Sequence, residues 1–147
     1  MSQSNGQQAQ RFPWYLRLAL AAVGIGLLVL LGTARYLEPN PNGLGTHEQL
    51  FGLRECGLRQ MYGIRCPSCG MTTSWAHLTR GHVVRSLKCN TGGTLLGICA
   101  LIVGPWSLGS GVLGRWLVQP PHPFVVAAIA AVVWVVTLID WGVRLSM

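Results

Sequence analysis

The sequence predicts an all-α membrane protein: three transmembrane helices, with a cysteine-containing loop and short interfacial helices between the first two. Three observations carry that prediction. Only 10% of the 147 residues are charged, where a soluble domain carries about 25% because its surface faces water. Half of the chain is hydrophobic and the mean hydropathy is +0.42. The apolar residues are also gathered into three long runs rather than scattered at the period of a soluble core.

The first run, residues 14–37, reads WYLRLALAAVGIGLLVLLGTARYL. Crossing the roughly 30 Å of hydrocarbon takes about 20 mostly apolar residues. The uncharged centre spans residues 18–34, and Arg17 and Arg35 can snorkel from its ends. Trp14, Tyr15 and Tyr36 stand where an aromatic belt belongs. A cleaved signal peptide with Gly32 and Ala34 before the cut is the rival reading; two later spans favour a retained helix. The second run, residues 91–113, carries no charge and six glycines, among them Gly92, Gly104 and Gly111. Such residues suit a membrane helix that neighbours approach closely, and Pro105 should kink it. The third, residues 124–145, starts after Pro123, a favourable helix opening because the missing N–H would have been unpaired anyway. A chain this short cannot bury three such helices without lipid.

The remaining segments follow. Residues 1–13 open Ser/Gln/Asn-rich with no apolar period and are expected to form a disordered tail. Residues 114–123 form a short loop. Residues 38–90 are the cysteine loop, beginning with the turn-rich stretch EPNPNGLG. Within it, Met71, Trp75 and Leu78 recur at helical spacing, with Gly81 as a stop. Val83, Val84 and Leu87 form a second short apolar face, with Arg85 and Lys88 turned away. Both stretches suit helices lying at the headgroup level. Asp140, at the edge of the third run, reads as a solvated end residue.

The net charge of +7 contains no Lys/Arg run interleaved with aromatics, which excludes nucleic acid as a partner. Three spans place the cysteine loop and the C-terminus on one side with eight of the Lys/Arg residues, leaving Arg11, Arg17 and Arg115 opposite. The positive-inside rule therefore predicts a cytoplasmic cysteine loop, although Arg11 and Arg17, ahead of the first span, point the other way.

Cys66-Pro67-Ser68-Cys69-Gly70 carries the chemistry. Two thiolates at C-x₂-C spacing can reach one Zn²⁺ at about 2.3 Å each. Pro67 narrows the backbone between them, and Gly70 can take a positive φ that turns N–H groups toward sulfur. Cys56, ten residues upstream, can return as a third ligand. A closed site needs a fourth, for which the candidates are Cys89, His77, His82 and His47. The same two cysteines would serve a thiol oxidoreductase, but no βαβ pattern precedes them. They would also serve a plain tight turn. Cys99 falls inside the second span, where it behaves as a small hydrophobe.

The stretch CGLRQMYGIRCPSCGMTTSWAHLTRGHVVRSLKCN resembles the bacterial membrane family called domain of unknown function 2752. The resemblance rests on Cys56, Gly63, Cys66, Pro67, Cys69, Gly70, Thr72, Arg80, Gly81 and Asn90. His82 stands where that family usually has Asp, and Thr91 where Pro often follows the Asn. The resemblance implies an integral protein of a bacterial inner membrane and implies no activity.

The leading expectation is a non-enzymatic membrane protein. Its cysteine loop is a structural clip, with Zn²⁺ as the candidate metal, presenting residues 72–88 to a lipid or protein partner. A thiol oxidoreductase using Cys66 and Cys69 is the first alternative. A small subunit of a transport or secretion complex is the second. The bilayer is one expected partner; a membrane-protein partner or a second copy of the chain is another, since the Gly-rich span invites neighbours.

Overall fold

A computed structural model describes residues 12–40, 46–49, 57–64 and 66–146, with residues 47, 48 and 57–59 as backbone. Among the described residues all regular structure is helical: α1 (Trp14–Tyr36), α2 (Gly57–Tyr62), α3 (Met71–Leu78), α4 (Val83–Cys89), α5 (Thr91–Leu113) and α6 (Pro123–Leu145), with a 3₁₀ turn at Thr46–Gln49. Helices α1, α5 and α6 are each long and apolar enough to cross a membrane. The three-span, all-α architecture is therefore as the sequence predicts.

The helix limits have local causes. Leu37 leaves α1 in extended conformation, two residues before Pro39. Asn90 opens α5, its side chain accepting from the Gly93 N–H, and Gly114 closes it at φ 67° in the left-handed region. Pro105 lies within an α5 that runs unbroken on both sides of it. His122 caps α6 by accepting from the Phe124 N–H at 3.3 Å.

Helix α5 is central and runs antiparallel to α1. Its glycines are the contact surface. A Cβ at Gly111 would lie 2.7 Å from the Ala21 nitrogen and 2.8 Å from the Arg17 carbonyl oxygen. On the α1 side of the seam, one at Gly24 would lie 2.6 Å from the Leu108 nitrogen. No side chain fits in either place, so the two backbones touch. At the far end Arg17 donates to the carbonyls of Gly111 and Val112, at 3.3 and 2.9 Å. Those carbonyls belong to the last turn of α5, which lacks intrahelical partners and carries negative partial charge. Trp106 and Trp116 stack nearby with centroids 5.3 Å apart, and Phe12 meets Trp116 edge-on.

Helix α6 joins α5 at one end. A Cβ at Gly92 would overlap the Thr137 side chain, and Asp140 accepts from both the N–H and the hydroxyl of Thr91, at 3.3 and 3.1 Å. Arg144, one turn on, pairs with the same carboxylate. Asp140 is thus not the solvated end residue that the sequence suggests. It ties the start of α5 to the end of α6.

The stripe expected on α3 is corrected in part. Leu78 is buried, but so are Thr73 and Ser74, which the pattern leaves off the apolar face. The Trp75 indole N–H donates to the Gly93 carbonyl at 2.7 Å. Small α5 residues make this approach possible, because Leu78 and Trp75 pack against Gly97. Helix α3 therefore lies beside the first two turns of α5 rather than above them.

Gly111→Ala should lower stability by about 1–3 kcal/mol, as overpacking does where neither backbone can yield. Gly26→Ala, on the open side of α1, should not. Unfolding of the reconstituted protein by a denaturing detergent measures both, and equal stability of the two variants would refute the backbone contact.

Candidate functional site

The cysteine turn is built by two tight backbone bonds. The Cys69 N–H donates to the Cys66 carbonyl and the Met71 N–H to the Ser68 carbonyl, each at 3.0 Å. Gly70 sits between them at φ 85°, a conformation costly for any residue with a Cβ. Helix α3 starts directly afterwards, its first bond running from the Ser74 N–H to the Gly70 carbonyl. The turn brings the Cys66 and Cys69 sulfurs within 2.9 Å, with the Ser68 hydroxyl 3.2 Å from Cys66. Cys66 is buried and Cys69 half-buried.

One side chain anchors this turn. Asn90 donates its amide N–H groups to the carbonyls of Pro67, at 3.0 Å, and Cys69, at 3.2 Å. Its carbonyl oxygen meanwhile accepts from the Gly93 N–H at 2.6 Å. It is wholly buried. Arg144 of α6 reaches the Cys69 carbonyl as well, at 3.4 Å. The turn is therefore bound to the start of α5 and the end of α6.

Beneath it lies a closed cluster of hydroxyls. Ser74 of α3, Ser86 of α4 and Thr94 of α5 are mutually within 2.8–2.9 Å and have no exposure to solvent. Ser86 also bonds the Ser74 carbonyl at 2.8 Å, and Thr94 bonds the Asn90 carbonyl at 2.9 Å. A second buried pair, Thr46 and Thr73 at 2.7 Å, ties the 3₁₀ turn to α3. A buried hydroxyl left without a partner costs about 1–3 kcal/mol, so these small groups hold their helices in a single register. On the opposite flank Arg80 donates to the carbonyls of Ala76 and Ala34, at 2.8 and 3.4 Å. It closes the last turn of α1 as Arg17 closes that of α5.

Of the predicted ligands, the structure brings Cys66 and Cys69 together. Cys56 lies outside the described residues, as does the side chain of His47, whose backbone is in the 3₁₀ turn. Cys89 ends α4 beside Asn90; burial pushes its thiol pKa up, against the smaller opposing pull of Arg144. His77 and His82 stand at the other end of α3, about 12 Å of helix away from the turn. Their ring centroids are 6.0 Å apart. Desolvation, then the charges of His82, Arg85 and Arg80, lower the His77 pKa. Its Nδ1 is buried without a hydrogen-bond partner among the described residues. No three His, Cys, Asp or Glu side chains among the described residues converge as a metal site would require. The described donor set thus supplies two thiols of the four ligands that a closed zinc site takes.

Sequence reasoning missed Asn90 as the anchor, the Ser74–Ser86–Thr94 cluster and the Asp140–Thr91 link. Asn90 ahead of an uncharged run was readable as a helix cap, and Asp140 four residues before Arg144 as an ion pair. Nothing in the spacing of the three hydroxyls announces that they meet.

Three long apolar helices, one of them the centre of the packing, define an α-helical polytopic membrane protein. Residues 56–104 match the family described as Protein of unknown function (DUF2752). This is the family that the cysteine motif indicates, and the matched region runs from Cys56 through the cysteine turn into α5. No curated protein and no solved structure is detectably similar to the chain.

Asn90→Ala should cost about 2–4 kcal/mol, from a lost helix cap and the Pro67 carbonyl left without its donor, while Arg144 still reaches the Cys69 carbonyl. Asn90→Asp keeps the capping oxygen but sets a buried carboxylate against the Pro67 and Cys69 carbonyls, so it should cost at least as much. Denaturant titration gives the stabilities, and hydrogen exchange at the first amides of α3 should quicken in Asn90→Ala. An unchanged exchange rate there would show that Asn90 does not hold the turn.

Proposed function

We propose that the chain is a non-enzymatic membrane protein whose Cys66–Gly70 turn is a structural clip. The clip holds α3 and α4 against the ends of the spans as a surface for a partner or for lipid. The bond pattern of Asn90 carries this reading: a single buried side chain joins the turn to the start of α5. The positions that carry the family resemblance support it, because several have mechanical jobs. Gly70 and Gly81 adopt positive φ, Arg80 caps α1, and Asn90 caps α5. Were the clip to bind Zn²⁺, Cys66 and Cys69 would hold it, with Cys56 as the expected third ligand and the fourth sought among Cys89, His77, His82 and His47.

One observation favours a second reading. Two sulfurs 2.9 Å apart, just ahead of a helix whose positive end favours thiolate, are also the start of a dithiol redox centre. The two readings part on mutation. As a clip, Cys66→Ser and Cys69→Ser should lower the protein's abundance alike, and zinc, where present, should be lost from both. A redox pair behaves asymmetrically, since removing the resolving thiol traps a mixed disulfide with the substrate. Immunoblots under non-reducing conditions, with metal analysis and a free-thiol count on the same samples, decide between them. A trapped partner in one variant would overturn the clip.

The proposed location is a bacterial inner membrane with the cysteine loop in the cytoplasm, supported by the eight-to-three Lys/Arg asymmetry. The C-terminus shares the loop's side of three spans. A fluorescent protein fused there should therefore be bright, and an alkaline phosphatase fusion inactive. An active phosphatase would invert the topology.

A further inference from the structure

Helix α4 is packed inside out. Ser86 is wholly buried, while Val83, Val84 and Leu87 are 46, 66 and 38% exposed. At 100° per residue the three apolar side chains cover one arc, Lys88 and Arg85 the next, and Cys89 and Ser86 the third. Arg85 and Lys88 are exposed and enter no ion pair among the described residues. Arg80, by contrast, is held by the α1 and α3 carbonyls.

The depth of this helix is fixed by its neighbours. It ends at Cys89, one residue before Asn90 caps α5. Thr91, the first residue of α5, is bonded to Asp140 near the end of α6, so two spans share a boundary at that level. An exposed apolar arc at a bilayer boundary adjoins acyl chains, and the basic arc beside it then lies among headgroups. Water would leave the valines and Leu87 without an apolar counterpart, whereas anionic headgroups beside acyl chains match the apolar and the basic arc together. From this we infer that α4 is an interfacial helix that binds the headgroups of anionic phospholipids through Arg85 and Lys88, with Val83, Val84 and Leu87 in the acyl region. The inference rests on the clip reading for what holds α4 in place, and it names the partner of that surface.

The test uses the full chain in bilayers of phosphatidylcholine, alone or mixed with phosphatidylglycerol, followed by native mass spectrometry of the lipid retained. Wild type should retain phosphatidylglycerol in preference to phosphatidylcholine. The double variant Arg85→Gln/Lys88→Gln should lose that preference by about thirtyfold, from two cations near the surface. Arg115→Gln, near the opposite end of α5, should keep it, and melting curves confirm that each variant is folded. No preference in wild type, or an undiminished one in the double variant, overturns the inference. The clip fails separately, through unchanged abundance of the Cys66→Ser and Cys69→Ser variants together with normal lipid preference in Asn90→Ala.

Discussion

The arrangement depends on what Asn90 does at the start of α5. The first turn of any helix leaves N–H groups unpaired, and here that turn is buried away from water beside the cysteine turn. Asn is suited to the place because its side chain accepts and donates at once. Its oxygen takes the Gly93 N–H while its nitrogen holds two carbonyls of the cysteine turn. An aspartate could cap equally well and would repel those carbonyls. Fixing the turn fixes the direction of α3, and the direction of α3 brings Ser74 to Thr94 and Trp75 to Gly93.

The same constraint recurs where α1 and α5 end. Arg80 closes the C-terminal carbonyls of α1 and Arg17 those of α5. Each places a cation at the negative end of a helix, where the two reinforce one another. The third span is held differently, through the carboxylate of Asp140 on Thr91 and the guanidinium of Arg144 on Cys69. Polar side chains, few in this chain, are spent on helix ends and on the contacts between elements. The lipid-facing surfaces need none.

How far the sequence discloses this follows from the range of each interaction. The spans were legible because the bilayer imposes length and lack of charge on a continuous segment. The cysteine turn was legible because Cys-Pro-Ser-Cys-Gly acts over five neighbouring residues. The glycines of α5 announced close packing but not its partners, since nothing local pairs Gly111 with Ala21. The hydroxyl cluster was not legible at all. Ser74, Ser86 and Thr94 come from three helices, and a serine in a short amphipathic segment reads as solvent-facing. Once Ser86 is turned inward, the apolar face read on α4 must turn outward, and lipid then takes the place of a protein core.

The composition of α5 is the last consequence. A helix that meets the protein at one end alone can be built largely from Val, Ala and Ile, as α6 is, and α6 has no buried residue among those described. Helix α5 meets α1 along Gly104 and Gly111, α6 at Gly92, and α3 at Gly93 and Gly97. Three neighbours at backbone distance leave room for little besides glycine, serine and threonine, and these make up most of its buried positions. In lipid such contacts rest on van der Waals packing and interhelical hydrogen bonds, because apolar burial supplies no drive between helices already out of water. The sum of the packing therefore depends on close approach. Each glycine permits one approach, and the buried hydroxyls beside them restrict it to one register.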